Sequence, residues 1–235
     1  MYDGDVQVVI LAAGMGTRLG RPHPKPLTEL RDGRTILDQQ LANARAAFGE
    51  AAQVMIVVGF KMEQIMEAAP DAAFAYNEAY DQTNTSKSLL KALRATGPRG
   101  VLWMNGDVVF HPDVLQRVQP LIERGQSFVC VNTSVTGEEE VKYTVGDGGG
   151  IAALSKKIPV AEALGEAVGI NYVAAADKAA LVARLDQAAE QDYFERGIEL
   201  AIELDGLSVV PVDISDLFAV EIDFADDLKR ANDFV

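Results

Sequence analysis

Four charged residues carry the chemistry this sequence can do: Arg18, Lys25, Asp107 and Asp223. The first two lie in VQVVILAAGMGTRLGRPHPKPL, Val6 to Leu27, where an apolar run breaks into Ala-Ala-Gly-Met-Gly. Thr17-Arg18 and a lysine between two prolines follow. Glycines at 14 and 16 let the backbone approach a ligand closely and turn its N–H groups toward it, and clustered N–H groups form an anion nest. Arg18 offers a planar fork for phosphate oxygens and Lys25 a compact point charge. Pro24 and Pro26 stiffen the chain around that lysine. Spacing excludes two familiar phosphate loops. No lysine directly follows Gly16 or Gly20, as a Walker A loop requires, and Gly14, Gly16 and Gly20 miss the dinucleotide fingerprint by one residue. The glycines alone fit a plain strand-to-helix turn; Arg18 and Lys25 beside them point to a site that handles phosphate.

Asp107 and Asp223 supply the opposite charge. Each closes an apolar strand pattern, GVLWMNGD and VEID, where a carboxylate suits core packing poorly and needs a partner. Either one can simply cap the next element. Meeting at one crevice they would hold Mg²⁺, which favours a few carboxylates completed by phosphate oxygens and water. Glu221 alternates with Asp223 and shares its face. Asp226 and Asp227 are placed to cap the last helix or to lie in solvent. His23 and His111 read as loop residues.

Elements that could position these residues follow from periodicity. Apolar runs at Val6–Leu11, Gln53–Gly59, Ala72–Tyr76, Gly100–Asp107 and Ser127–Ser134 read as buried strands. Amphipathic segments at Thr35–Phe48, Lys61–Ala69, Ser86–Ala95 and Pro112–Arg124 read as helices between them. After Ser134 the glycines at 146–150 signal a hairpin. The strand AVGINYVA, helices at Asp177–Ala189 and Tyr193–Leu204, two late strands and a closing helix complete the chain. The expectation is an α/β fold: a three-layer α/β/α sandwich with a mixed, mostly parallel sheet and a small β-hairpin insert. No linker or repeat interrupts it, so residues 1–235 read as one domain with a substrate-side insert at about 134–175. Ligands of such sheets sit beyond the strand C-termini, where the glycine motif lies.

Composition narrows the function classes. A net charge of −14 over 235 residues argues against nucleic acid as a partner. The lone Cys130, within SFVCVN, reads as a buried structural thiol and fits a reducing compartment. No signal-like segment and no run of 18 apolar residues is present, so the expectation is a cytoplasmic protein with no membrane span.

LAAGMGTRLGRPHPKPL resembles the L-A-A-G-x-G-[ST]-R…P-K-x-L signature of the nucleotidyltransferases that activate phosphorylated sugars and alcohols, a Rossmann-like family. VVGF, YNEAYDQTNTSKSL, MNGDVVF, EAVGINYVA and VEIDFADDLKRA resemble further family segments in the same order, over nearly the whole chain. Within the family the likeness is to small cytidylyltransferases acting on phosphocholine and related head groups. The resemblance implies Mg²⁺ on Asp107 and Asp223, with Lys25, Arg18 and Asp107 catalytic. Leu11, Ala12, Ala13, Gly14, Gly16, Thr17, Asn84 and Ser88 would hold CTP, although Asn84 is equally placed to cap a helix. A phosphate or phosphonate would attack the α-phosphorus and release pyrophosphate. A phosphate monoester is largely a dianion at neutral pH, its second pKa being about 6, so no general base is needed. For a choline-like end the candidates are Tyr143, Tyr172, Tyr193, Glu195 and Glu221, an aromatic cage with acidic neighbours. Phe194 shares a helical stripe with Ile198 and Ala201 and reads as core. Lys156-Lys157 fits either the substrate phosphate or a solvated hairpin end. A sugar-1-phosphate uridylyl-, guanylyl- or thymidylyltransferase and an inactive nucleotide-binding scaffold are the alternatives, and a homodimer is left open.

Overall fold

The computed structural model describes residues 6–16, 19–50 and 52–235. Its sheet grows from β1 (Val6–Ala12), whose Val6, Val8 and Ile10 enter the core on one face while Val9 and Leu11 enter the core on the other. Burial on both sides is why the strand reads as a continuous apolar run. β2 (Val54–Val58) and β4 (Gly100–Asn105) flank it in parallel, and β3 (Ala73–Tyr76) extends the β2 side. Past β4 the sheet becomes mixed. β9 (Gly165–Val173) runs antiparallel between β4 and β6 (Phe128–Asn132), and β10 (Val210–Asp213) lies parallel outside β6. The order is β10-β6-β9-β4-β1-β2-β3.

One face is covered by α1 (Ile36–Phe48), α2 (Met62–Ala68) and α4 (Asp113–Glu123), through Leu37, Leu41, Ile65, Val114 and Val118. The other is covered by α3 (Thr85–Ala95), α5 (Lys178–Gln187) and α6 (Phe194–Asp205), through Leu89, Leu93, Leu185, Phe194 and Ile198. The three-layer sandwich is as expected, and Cys130 is buried within it. No helix among the described residues is long and apolar enough to cross a membrane.

The segment expected as an insert divides in two. β7 (Lys142–Val145) and β8 (Ile151–Ser155) form the hairpin, which joins the end of β9 at Lys142–Glu166. β9 itself belongs to the central sheet, so the insert is shorter than 134–175. GVLWMNGD also ends earlier than its apolar pattern suggests. β4 stops at Asn105, and Gly106-Asp107 turns into β5 (Val108–Phe110). β5 pairs antiparallel with β11 (Ala219–Glu221), with Val108 opposite Glu221, and α7 (Ala225–Phe234) follows. Asp107 precedes one strand of this ribbon and Asp223 follows the other, so both carboxylates stand at the same end.

Candidate active site

The crevice opens beyond the C-terminal end of β1 and is walled by Leu11, Ala12, Gly14, Gly16, Lys25 and Asp107, among others. Lys25 sits in a tight turn, Lys25–Leu27, entered from Pro24. Its Nζ donates to Asp107 Oδ2 at 2.8 Å and to Asp223 Oδ1 at 2.6 Å. Burial disfavours the ammonium, but the Asp107 and then the Asp223 carboxylate outweigh it, so the Lys25 pKa lies above its ordinary value. Gly16 takes φ +58°, and a Cβ there would lie 3.0 Å from the Lys25 Cβ; the bare glycine lets the loop pack on the lysine.

The Asp107 turn is held from three sides. Gly106 donates to the Leu11 carbonyl at 2.9 Å, and a Cβ on Gly106 would approach that same oxygen to 2.8 Å. Ile222 N–H donates to the Asp107 carbonyl at 2.9 Å, tying the end of β11 to the turn. From α1, buried Gln40 donates through Nε2 to the carbonyls of Asn105 and Val108, both at 2.8 Å, bracketing Gly106-Asp107. Gln39 and Asn43 donate to the Phe110 carbonyl further along. Asp227 accepts from the N–H groups of Asp223 and Phe224 at 3.1 and 2.8 Å, capping α7.

This donor set suits Mg²⁺. Two carboxylates from different segments converge, and Asp107 Oδ1 is buried with no hydrogen-bond partner. Among the described residues no cluster of three or more His, Cys, Asp or Glu stands ready to enclose a metal, so a cation here would need ligands from a bound molecule or water.

Two further acidic residues of the crevice wall are in a different state. Asn105 Nδ2 donates to Glu221 Oε1 at 3.0 Å, and the pair rests on Gly169, where a Cβ would lie 2.6 Å from that oxygen. Burial pushes the Glu221 carboxyl well up, and the Asp107 charge adds to it. Glu195, in the first turn of α6, is 7% exposed, and its Oε2 has no hydrogen-bond partner. Burial pushes its carboxyl up to about 7; its own backbone N–H and Lys156 act against this, and Glu199 adds to it. Lys156 Nζ lies 4.8 Å from the centroid of the Tyr193 ring. Lys142, buried in β7, donates to the carbonyls of Glu138 and Glu140 at 2.8 and 3.0 Å and fixes the loop that brings Glu140 to the wall.

A sequence profile of the MobA-like NTP transferase domain matches residues 8–199. The chain belongs to this family. A CMP-5'-(3-aminopropyl)phosphonate synthase of Streptomyces rubellomurinus is 38% identical over 122 residues, 48% of this chain and 19% of that protein. The bifunctional protein GlmU of Koribacter versatilis is 32% identical over 113 residues, 47% of this chain and 24% of that protein. The chain thus matches about a fifth to a quarter of the length of these relatives. The CTP:phosphocholine cytidylyltransferase of Streptococcus pneumoniae superposes with a TM-score of 0.77 at 17% identity, over 98% of this chain and 99% of that one, which establishes a shared fold.

In this NTP transferase domain the residues singled out by sequence fall into four groups. Lys25, Asp107 and Asp223 meet, with Leu11, Ala12, Gly14 and Gly16 around them and Tyr193, Glu195 and Glu221 elsewhere on the wall. Ala13 lies just behind the wall, its carbonyl accepting from Phe60 N–H at 3.0 Å. Thr17 and Arg18 lie outside the described residues. Tyr172, Asn84 and Ser88 stand off the wall of the crevice. Tyr172 is buried on the α1 side, stacked on Phe128 at 5.5 Å, because β9 alternation turns it away from the crevice. Asn84 caps α3 through Thr85 N–H at 2.8 Å, and its Nδ2 reaches the Gln191 carbonyl at 3.4 Å, tying α3 to the start of α6. Ser88 is buried and accepts from Asn77 Nδ2 at 3.0 Å. Thr85 takes the wall position, and its Oγ1 accepts from Phe194 N–H at 3.1 Å. Neither histidine lines the crevice. Sequence reasoning missed Gln40 and Asn105; the signal was a Gln-Gln-x-x-Asn cluster on the apolar side of a core helix.

Proposed function

We propose that this protein is a cytidylyltransferase that transfers CMP from CTP to a small phosphate monoester or phosphonate, with release of pyrophosphate and with Mg²⁺ as cofactor. The observation that carries the proposal is the meeting of Lys25 with Asp107 and Asp223 at the mouth of β1. The choice of CTP and of a phosphonate-like acceptor rests on the relative whose name states a CMP-phosphonate product. An acceptor oxygen attacks the α-phosphorus, the bond from that phosphorus to the bridging β-oxygen breaks, and pyrophosphate leaves with the electron pair. The acceptor dianion is already a nucleophile, so the protein's task is to bring two anions together. Lys25 does this by trading its carboxylate partners for phosphate oxygens, while the backbone at 12–16 holds the nucleotide. Mg²⁺, held by Asp107 and Asp223, would supply the remaining neutralisation.

The test is pyrophosphate release from CTP, UTP, GTP and dTTP against a panel of phosphonates, phosphoalcohols and sugar 1-phosphates. Release with CTP and a small phosphonate or phosphoalcohol is expected. Release confined to another nucleotide and a sugar 1-phosphate would replace this reading with a sugar-activating one. A folded protein that binds nucleotide and turns over nothing would identify a scaffold.

A further inference from the structure

Lys61 occupies a backbone position that suits other residues better. It takes φ 47° and ψ 47°, and among the described residues it is the only non-glycine with positive φ. A side chain in this left-handed region crowds the backbone, and glycine or asparagine fits there with less strain. Lys61 also precedes α2 as its N-cap, without a side-chain hydrogen bond to the helix. Asparagine, serine or aspartate suits that position, and a cation there opposes the helix dipole. Three local preferences thus argue against a lysine. A residue that breaks local rules marks a place where its side chain serves something beyond its own element.

That side chain reaches the loop leaving β1. Lys61 Nζ donates to the Pro22 carbonyl, in the segment that leads to Lys25, and lies 5.4 Å from the Phe60 ring centroid. Next to it, Phe60 N–H donates to the Ala13 carbonyl at 3.0 Å. Gly59 permits this approach, since a Cβ there would lie 2.7 Å from the Ala13 oxygen. Consecutive residues of the β2–α2 turn therefore hold the loop at both limbs: Ala13, where it departs, and Pro22, where it returns toward Lys25. Gly14 and Gly16, which line the crevice, fall between the two anchors. Glycines lose much backbone freedom on ordering, and a charge-assisted hydrogen bond that fixes the loop beforehand removes part of that cost from ligand binding. We infer that Lys61 is a positioning residue for the nucleotide, acting through the Pro22 carbonyl to keep the β1 loop in its binding shape without touching the ligand. The inference rests on the reading of that loop as the nucleotide's cradle.

The experiment compares Lys61→Asn and Lys61→Arg with the wild-type chain. It uses thermal melting, hydrogen exchange of peptides spanning residues 13–25 without ligand, and calorimetric titration of CTP, UTP, GTP and dTTP. Asparagine accepts the left-handed backbone and the N-cap but is too short to reach Pro22. Lys61→Asn should melt no lower than wild type and exchange faster over residues 13–25. It should bind the preferred nucleotide about ten-fold more weakly, the order expected for losing a hydrogen bond from a charged donor. Lys61→Arg keeps a charged donor and should recover most of that loss. A merely structural lysine would lower melting temperature and affinity together, and that result overturns the inference. Weaker binding with unchanged exchange overturns it as well, because Lys61 would then meet the nucleotide itself. Unchanged binding does the same. If the wild-type protein binds none of the four nucleotides, the cradle reading fails and the nucleotide role of Lys61 with it. The exchange comparison still decides in that case whether Lys61 holds the loop.

Discussion

The acidic residues that line the crevice are held in two different ways. Asp107 and Asp223 share the Lys25 ammonium. Glu195 and Asn105 keep acceptor oxygens buried without donors. The first pair is bound to a protein cation, although Asp107 Oδ1 stays without a hydrogen-bond partner. The second group is left short of hydrogen-bond donors.

The largest expected effect breaks the Lys25 pairing. Lys25→Ala should lower kcat by at least about 10²–10³, the usual loss for one preorganised charge-stabilising donor. Circular dichroism should show the fold retained, and unchanged turnover would remove Lys25 from the reaction. Next comes the brace beneath it. Gln40→Leu strips the donor from two buried carbonyls, each worth about 1–3 kcal/mol when left unpaired. Thermal melting should fall by several degrees, and a midpoint within a degree of wild type would show that the brace is idle.

The smallest effect concerns stability. A carboxyl raised in the folded state binds more protons there than in the unfolded chain, so stability is lost as pH rises from the unfolded value through about 7. Replacing Glu195 by Gln should thus stabilise the protein more at pH 8 than at pH 5. Denaturant titrations at both values measure the difference, and an equal effect at both would show that the carboxyl is not perturbed.

The same contrast explains what could be read from the chain before it was folded. Lys25 and the glycines announce themselves because local spacing sets their roles, and Asp107 and Asp223 because a carboxylate ending an apolar run is conspicuous. The fold followed from alternation of apolar strands and amphipathic helices, since burial on both sheet faces writes itself into consecutive residues. The β5–β11 ribbon was not legible: three-residue strands pair across the length of the chain, and the pairing leaves no local mark. Tyr172 was misplaced because the face a strand residue takes depends on register, which a composition of aromatics does not reveal. Asn84 presented two chemically equivalent roles, and contact with the 190–192 segment decided for the cap.

Lys25 is separated from its two carboxylates by 82 and 198 positions. The Asp107 turn likewise depends on a distant segment, because Ile222 N–H donates to its carbonyl. The second carboxylate reaches the lysine only when β11 docks beside β5. Without the segment that carries Asp223, the central sheet would keep its strands, but Lys25 would lose one of its two carboxylate partners.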